Sequence, residues 1–118
     1  MIEKSIDRPL AVLDIEATGT TSRADRIVEL AILLVSPDGE RRTYTFRVNP
    51  QVPIPPETTA IHGIKDEDVA NCPTFPDIAQ NVLAIIQNAD LSGYNIIRYD
   101  LPMLMEEFIR AGMTVDLS

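Results

Sequence analysis

From Leu10 the chain runs Leu-Ala-Val-Leu and then turns acidic at Asp14-Ile15-Glu16. A short apolar block of this kind predicts a buried strand over residues 9–14. Residues 26–35 form a longer apolar block and predict a second strand. Residues 41–48 alternate in polarity and carry Thr, Tyr, Phe and Val, which suit a third. Between the last two lies Ser36-Pro37-Asp38-Gly39, whose residue types favour a tight turn. Strands two and three are therefore expected to form a hairpin, with strand one beside it. The proline-rich stretch 49–56 reads as extended, and Glu57–Ile61 and Lys65–Val69 as short helices. Thr74 and Asp77 have the spacing of a helix start. Ile78, Val82, Ile85, Ile86 and Ala89 then recur on one helical face. Residues 90–93 read as a short fourth strand. A last helix is expected from Asp100, with Leu101, Leu104, Met105, Phe108 and Ile109 as its buried stripe and Gly112 as its stop. Antiparallel strands followed by helices and one more strand make an α/β mixed sheet, not a doubly wound parallel one.

At 118 residues the chain is expected to be a single domain, 1–118, and its 45% apolar content can build a core. The longest unbroken apolar run, Leu30 to Val35, is too short to span a bilayer. No basic segment followed by an apolar one opens the chain, so neither a signal peptide nor membrane contact is expected. Cys72 is the only cysteine, which excludes an internal disulfide or a cysteine-based metal site and fits a cytoplasmic setting. A net charge of −8 argues against a nonspecific phosphate-backbone binder. It does not argue against an enzyme that grips a short phosphate segment through metal ions. Arg23, Arg26, Arg41, Arg42, Arg47 and Arg98 are either scattered solvated cations or a local positive rim.

Three sets of residues carry candidate chemistry. Asp14 and Glu16, two apart on a strand, share a face. Like charges side by side call for a proton or a divalent cation; the alternative is a solvated strand end. The small residues Ala17-Thr18-Gly19-Thr20 follow, where backbone amides can approach a ligand closely. Asp100 suits a helix N-cap, but a helix packed on the sheet would also bring its carboxylate to the first strand, completing a metal cradle. His62, the only histidine, is either structural or placed to touch a nucleotide, stacking on a base or bonding a sugar hydroxyl.

Taken in order, Asp14-Ile15-Glu16-Ala17-Thr18-Gly19, Ile61-His62-Gly63-Ile64 and Gly93-Tyr94-Asn95 through Tyr99-Asp100-Leu101 and Leu104 resemble the first exonuclease motifs of the DEDD 3′→5′ exonucleases. That family includes the proofreading subunit of bacterial replicative polymerase and has a ribonuclease H-like fold. The resemblance covers roughly residues 8–112. It implies hydrolysis of phosphodiester bonds from the 3′ end of single-stranded DNA or RNA by two Mg²⁺ or Mn²⁺ ions. Asp14, Glu16 and Asp100 would be catalytic metal ligands. Ala17, Thr18, Gly19 and His62 would lie near the terminal nucleotide, with Asn95 bracing the second motif. Gly-Tyr-Asn stands where many relatives have Gly-His-Asn.

The same resemblance implies a third motif, with a fourth carboxylate and a histidine or tyrosine base, that has no counterpart before Ser118. The fold is thus expected to be incomplete at its C-terminus, the chain alone inactive or nearly so, and the uncovered sheet edge a site of self-association. A non-catalytic module that binds a 3′ end or a protein is the principal alternative. Asp14-Ile15-Glu16-Ala17-Thr18 also resembles the nucleophile loop of haloacid dehalogenase-like phosphatases, but Glu replaces the second Asp and the loop leads into a hairpin. A receiver domain would need regular β-α alternation and a late lysine, whereas Lys65 is the last.

Overall fold

A computed structural model describes residues 7–94 and 96–116. Strand β1 spans Leu10–Ala17, β2 Ile27–Val35 and β3 Arg41–Arg47. Helices α1 (Pro56–His62), α2 (Asp66–Val69) and α3 (Phe75–Ile86) follow, then β4 (Asp90–Ser92). A π-helical turn over Ile96–Asp100 leads directly into α4, Leu101–Arg110. The sheet order is β3-β2-β1-β4, with β1, β2 and β3 antiparallel and β4 parallel to β1. No helix among the described residues is long and apolar enough to cross a membrane.

Strand β1 runs to Ala17, three residues beyond the expected end at 14. Apolarity alone marks only its buried half. The strand continues because Asp14, Ile15 and Glu16 still pair with Ala31, Leu30 and Glu29 of β2. Alternation then separates two faces. Ala11 and Leu13 are buried, and Ile15 and Ala17 pack on the same core. Asp14 and Glu16 point away from it. At Glu16/Ala17 the register slips, so that Ala17 faces Ile27 and Val28 is the extra residue. Such a bulge lets consecutive residues be buried in different places. Ile27 enters the main core, while Val28 joins Ile54, Ile64 and Val69 in a second cluster beneath the proline-rich segment.

Helices α3 and α4 cover the core face. The start of α3 is capped as its spacing predicts, with the Thr74 amide and hydroxyl each donating to the Asp77 carboxylate at 3.0 Å. Phe75 and Phe108 meet edge to face at 5.3 Å between ring centres. On α4 the buried residues are Met103, Leu104, Glu107 and Phe108. The expected stripe is thus displaced: Leu101 and Met105 are only partly buried, and Ile109 is 61% exposed. An acidic residue takes a core position because it has partners there, which a reading of polarity alone cannot see.

Candidate active site

The end of β1 is enclosed by α1 on one side and by the π turn and α4 on the other. Pro56 starts α1, where its missing N–H costs nothing. Gly63 ends it at φ +78°, its amide donating to the Thr59 carbonyl at 2.7 Å. That left-handed stop explains Ile61-His62-Gly63-Ile64 locally. The chain reverses, Ile64 drops into the second cluster, and the His62 ring is left beside β1. The Ile64 amide donates to His62 Nδ1 at 3.0 Å, so Nε2 carries the proton and donates to the Ala17 carbonyl at 3.2 Å. The Thr58 hydroxyl donates to the next carbonyl, Thr18, at 3.0 Å. Helix α1 thus grips two successive carbonyls at the strand end.

On the other side, Asp100 is not a cap. Its backbone is helical, φ −67° and ψ −48°, and its side chain makes no capping hydrogen bond. The π turn continues straight into α4 and leaves the carboxylate to face β1. Gly93 permits this close approach, because a Cβ there would lie 2.7 Å from the Leu13 carbonyl oxygen and 3.6 Å from Asp100 Oδ2.

Between these walls lies a cleft of about 590 Å³, lined by Ile15, Glu16, Ala17, Gly19, Thr20, Thr58, Ile61, His62, Tyr99, Asp100 and Met103. Burial raises the Asp100 carboxyl above its ordinary 3.8, and the charges of Asp14 and Glu16 add to the effect. Glu16 is raised above 4.5 by burial first, then by Asp14 and Glu29, with only His62 opposing. Among the described residues, no lysine or arginine pairs with Asp14, Glu16 or Asp100. The three carboxylates therefore share one field, with no lysine or arginine among the described residues ion-paired to them. They are not gathered into a chelating cluster: no three His, Cys, Asp or Glu side chains among the described residues stand in metal-holding geometry.

Ala17, Gly19 and His62 line the cleft alongside Glu16 and Asp100. Asp14 is exposed at its edge. Thr18 does not line it. The residue is 3% exposed, and its hydroxyl donates to Asp25 at 2.9 Å and accepts from the Arg26 amide at 3.0 Å. A side chain fastened to the loop in this way does not face the cleft. Asn95 lies outside the described residues. Thr58 and Met103 line the cleft without any expectation from the sequence, which marks Thr20 only as part of the small loop near a ligand, and Ile61 and Tyr99 only as motif residues.

The family model described as Exonuclease, RNase_T, matches residues 11–115. The chain belongs to the RNase_T exonuclease family. It is 36% identical over 98 residues to DNA polymerase III subunit epsilon of Rickettsia conorii, covering 81% of this chain and 42% of that protein. It is 28% identical over 103 residues to the 3′-5′ exonuclease DinG of Staphylococcus epidermidis, covering 87% of this chain and 11% of that one. The chain thus spans less than half the length of either relative. Exonuclease I of E. coli in complex with a dT13 oligonucleotide superposes with a TM-score of 0.80 at 19% identity, over 89% of this chain and 24% of that one. This likeness establishes the ribonuclease H-like fold for the RNase_T domain, and the mixed four-stranded sheet agrees with it.

Proposed function

We propose that this RNase_T domain hydrolyses phosphodiester bonds of single-stranded DNA or RNA from the 3′ end, with Asp14, Glu16 and Asp100 holding two Mg²⁺ or Mn²⁺ ions. The observation that carries the reading is a cleft lined by Glu16 and Asp100, both raised by burial and by their neighbours' charge with Asp14 contributing to each, and with no lysine or arginine among the described residues ion-paired to the three. The donor set fits such ions in chemistry and charge, since carboxylate oxygens are hard ligands suited to hard cations. Bound there, the ions would supply charge stabilisation at the scissile phosphate and favour hydroxide as the nucleophile. The chain's own residues do the rest. Ala17, Gly19 and Thr20 offer a small-residue wall for the phosphate backbone. Ile61 and Tyr99 give the terminal nucleotide apolar surface, and His62, with both ring nitrogens engaged, offers its ring rather than a proton. The relatives' printed names, a polymerase subunit and a 3′-5′ exonuclease, support this assignment, and a cytoplasmic setting belongs to it.

Turnover by these 118 residues alone is expected to be slow, because the trio accounts for three carboxylates and, among the described residues, no general base outside it lines the cleft with a free ring nitrogen. Absence of a general base costs about 10²–10⁴-fold. The assay therefore uses protein in molar excess over a 5′-labelled single-stranded oligonucleotide with Mn²⁺, beside an Asp14→Ala control. A ladder shortening from the 3′ end, absent in the control, is the expected result. Shortening from the 5′ end, or equally in the control, overturns the reading. Asp14-dependent binding of the 3′ end without shortening puts a non-catalytic binding module in its place.

Leu10, Val12, Leu33 and Val35 share the sheet face opposite the helices and are only partly buried. We expect a second copy of the chain to cover that face at high concentration. Light scattering that gives a monomer mass throughout would refute it.

A further inference from the structure

The tail of α4 carries charged groups that the cleft does not use. Glu107 is 3% exposed, and its Oε2 accepts from the Ile27 amide, the first of β2, at 2.9 Å. Its Oε1 lies 3.4 Å from Arg110 Nη1. The Arg110 guanidinium also donates to the carbonyls of Asp25 at 3.2 Å, Ser22 at 3.1 Å and Arg23 at 2.6 Å. A planar fork with five donors suits such a set of acceptors. The loop it holds is the one that leaves β1. Inside that loop the Asp25 carboxylate accepts from the Thr18 hydroxyl and from the Thr21 amide, both at 2.9 Å. Gly19 lies so close against Asp25 that no Cβ fits. The outer side of the same loop, at Gly19 and Thr20, is cleft wall.

One helix therefore carries Asp100 at its head and, ten residues or about 15 Å further on, clasps the segment that follows Glu16. Asp14, Glu16 and Asp100 repel one another, so attraction elsewhere must hold their elements together. The contact at Gly93 fixes the head of the helix. Met103, Leu104 and Phe108 seat its middle in the core, and the Arg110–Glu107 contacts tie its tail to the loop. We propose that Arg110 and Glu107 are positioning residues for the acidic site: they lock α4 to the loop 18–26 and so set the separation of Asp100 from the Asp14–Glu16 pair. As a statement about an exonuclease site, this rests on the function proposed above; as a statement about geometry, it does not.

The test compares wild type with Arg110→Ala, Arg110→Lys and Glu107→Gln, which keeps an acceptor for the Ile27 amide. Amide NMR shifts at Glu16 and Asp100, calorimetric Mn²⁺ affinity and the 3′ ladder are read on the same folded samples. Arg110→Ala is expected to shift both amides and to weaken Mn²⁺ binding and cleavage about tenfold, the usual scale for a residue that orients metal ligands. Arg110→Lys recovers part of each, and Glu107→Gln stays nearest to wild type. Faster amide exchange at 22–25 with unchanged Glu16 and Asp100 shifts and unchanged Mn²⁺ affinity would overturn the proposal and leave a merely structural clasp. Should Arg110→Ala not fold, Arg110→Lys carries the same comparison, with smaller shifts of both amides and a smaller loss of Mn²⁺ affinity expected. Wild type that neither binds Mn²⁺ nor cuts would defeat the proposed function, while the amide shifts would still decide the positioning.

Discussion

Two acidic regions of this molecule sit at opposite ends of α4 and are treated in opposite ways. At the tail, Glu107 is almost wholly buried, yet its oxygens meet a backbone amide and a guanidinium. At the head, Asp100 faces Glu16 and Asp14, and no lysine or arginine among the described residues answers them. Burial alone therefore does not mark a reactive site. The difference lies in whether the charge is matched. A matched carboxylate is a fastening, whereas three unmatched ones around a cleft leave a negative field suited to a divalent cation.

The sharpest way to break this contrast is to remove Glu107. Glu107→Ala strands the Ile27 amide and part of Arg110, and breaking a buried pair costs about 3–5 kcal/mol. Urea unfolding should show that loss; a variant as stable as wild type would mean that the tail charge is not a fastening. Gly93→Ala comes next. Its methyl would collide with the Leu13 carbonyl, and forcing extra volume into a packed contact costs about 1–3 kcal/mol. Thermal melting measures it, and Mn²⁺ affinity should fall with it, because Asp100 must move with the turn.

Changes at the head should run the other way. Glu16 and Asp100 have folded-state pKa values raised above 4.5 and 3.8, so folding favours their protonated forms. Their contribution to stability is fully present below those ordinary values and is lost as pH rises through the raised ones. Asp14→Ala, which removes one source of repulsion, should therefore be more stable than wild type at about pH 7, with the advantage shrinking towards about pH 4. Melting temperatures across that range decide it, and an advantage that grows on acidification would contradict the shared field. The smallest effect is expected from Asp100→Asn at neutral pH, a gain of at most about 1 kcal/mol, since solvent screens much of the repulsion. A loss of stability there would show Asp100 to be a structural residue after all.

Much of this contrast was legible in the sequence, and unevenly so. The strands, the hairpin and the start of α3 followed from local chemistry, as the Thr74–Asp77 cap shows. The pairing of Asp14 with Glu16 on one face followed from strand alternation. The role of Thr18 did not, because the groups that engage its hydroxyl, the Asp25 carboxylate and the Arg26 amide, lie seven and eight residues further on. Glu107 was invisible for a similar reason. The Ile27 amide it accepts from lies eighty residues away, and no local pattern announces that a glutamate will be buried. A separation of 40 and 45 residues likewise hid Thr58 and His62 as clamps on the end of β1. Local signals report elements, whereas charge matching is set by tertiary contacts.

The account stands most directly on Mn²⁺ binding by the folded domain, measured by paramagnetic resonance at neutral pH in wild type, Asp14→Ala, Asp100→Asn and Glu107→Gln. It predicts saturable binding by wild type, abolished by either change at the cleft and retained by Glu107→Gln. Binding that survives both Asp14→Ala and Asp100→Asn, or no binding by wild type, would contradict it.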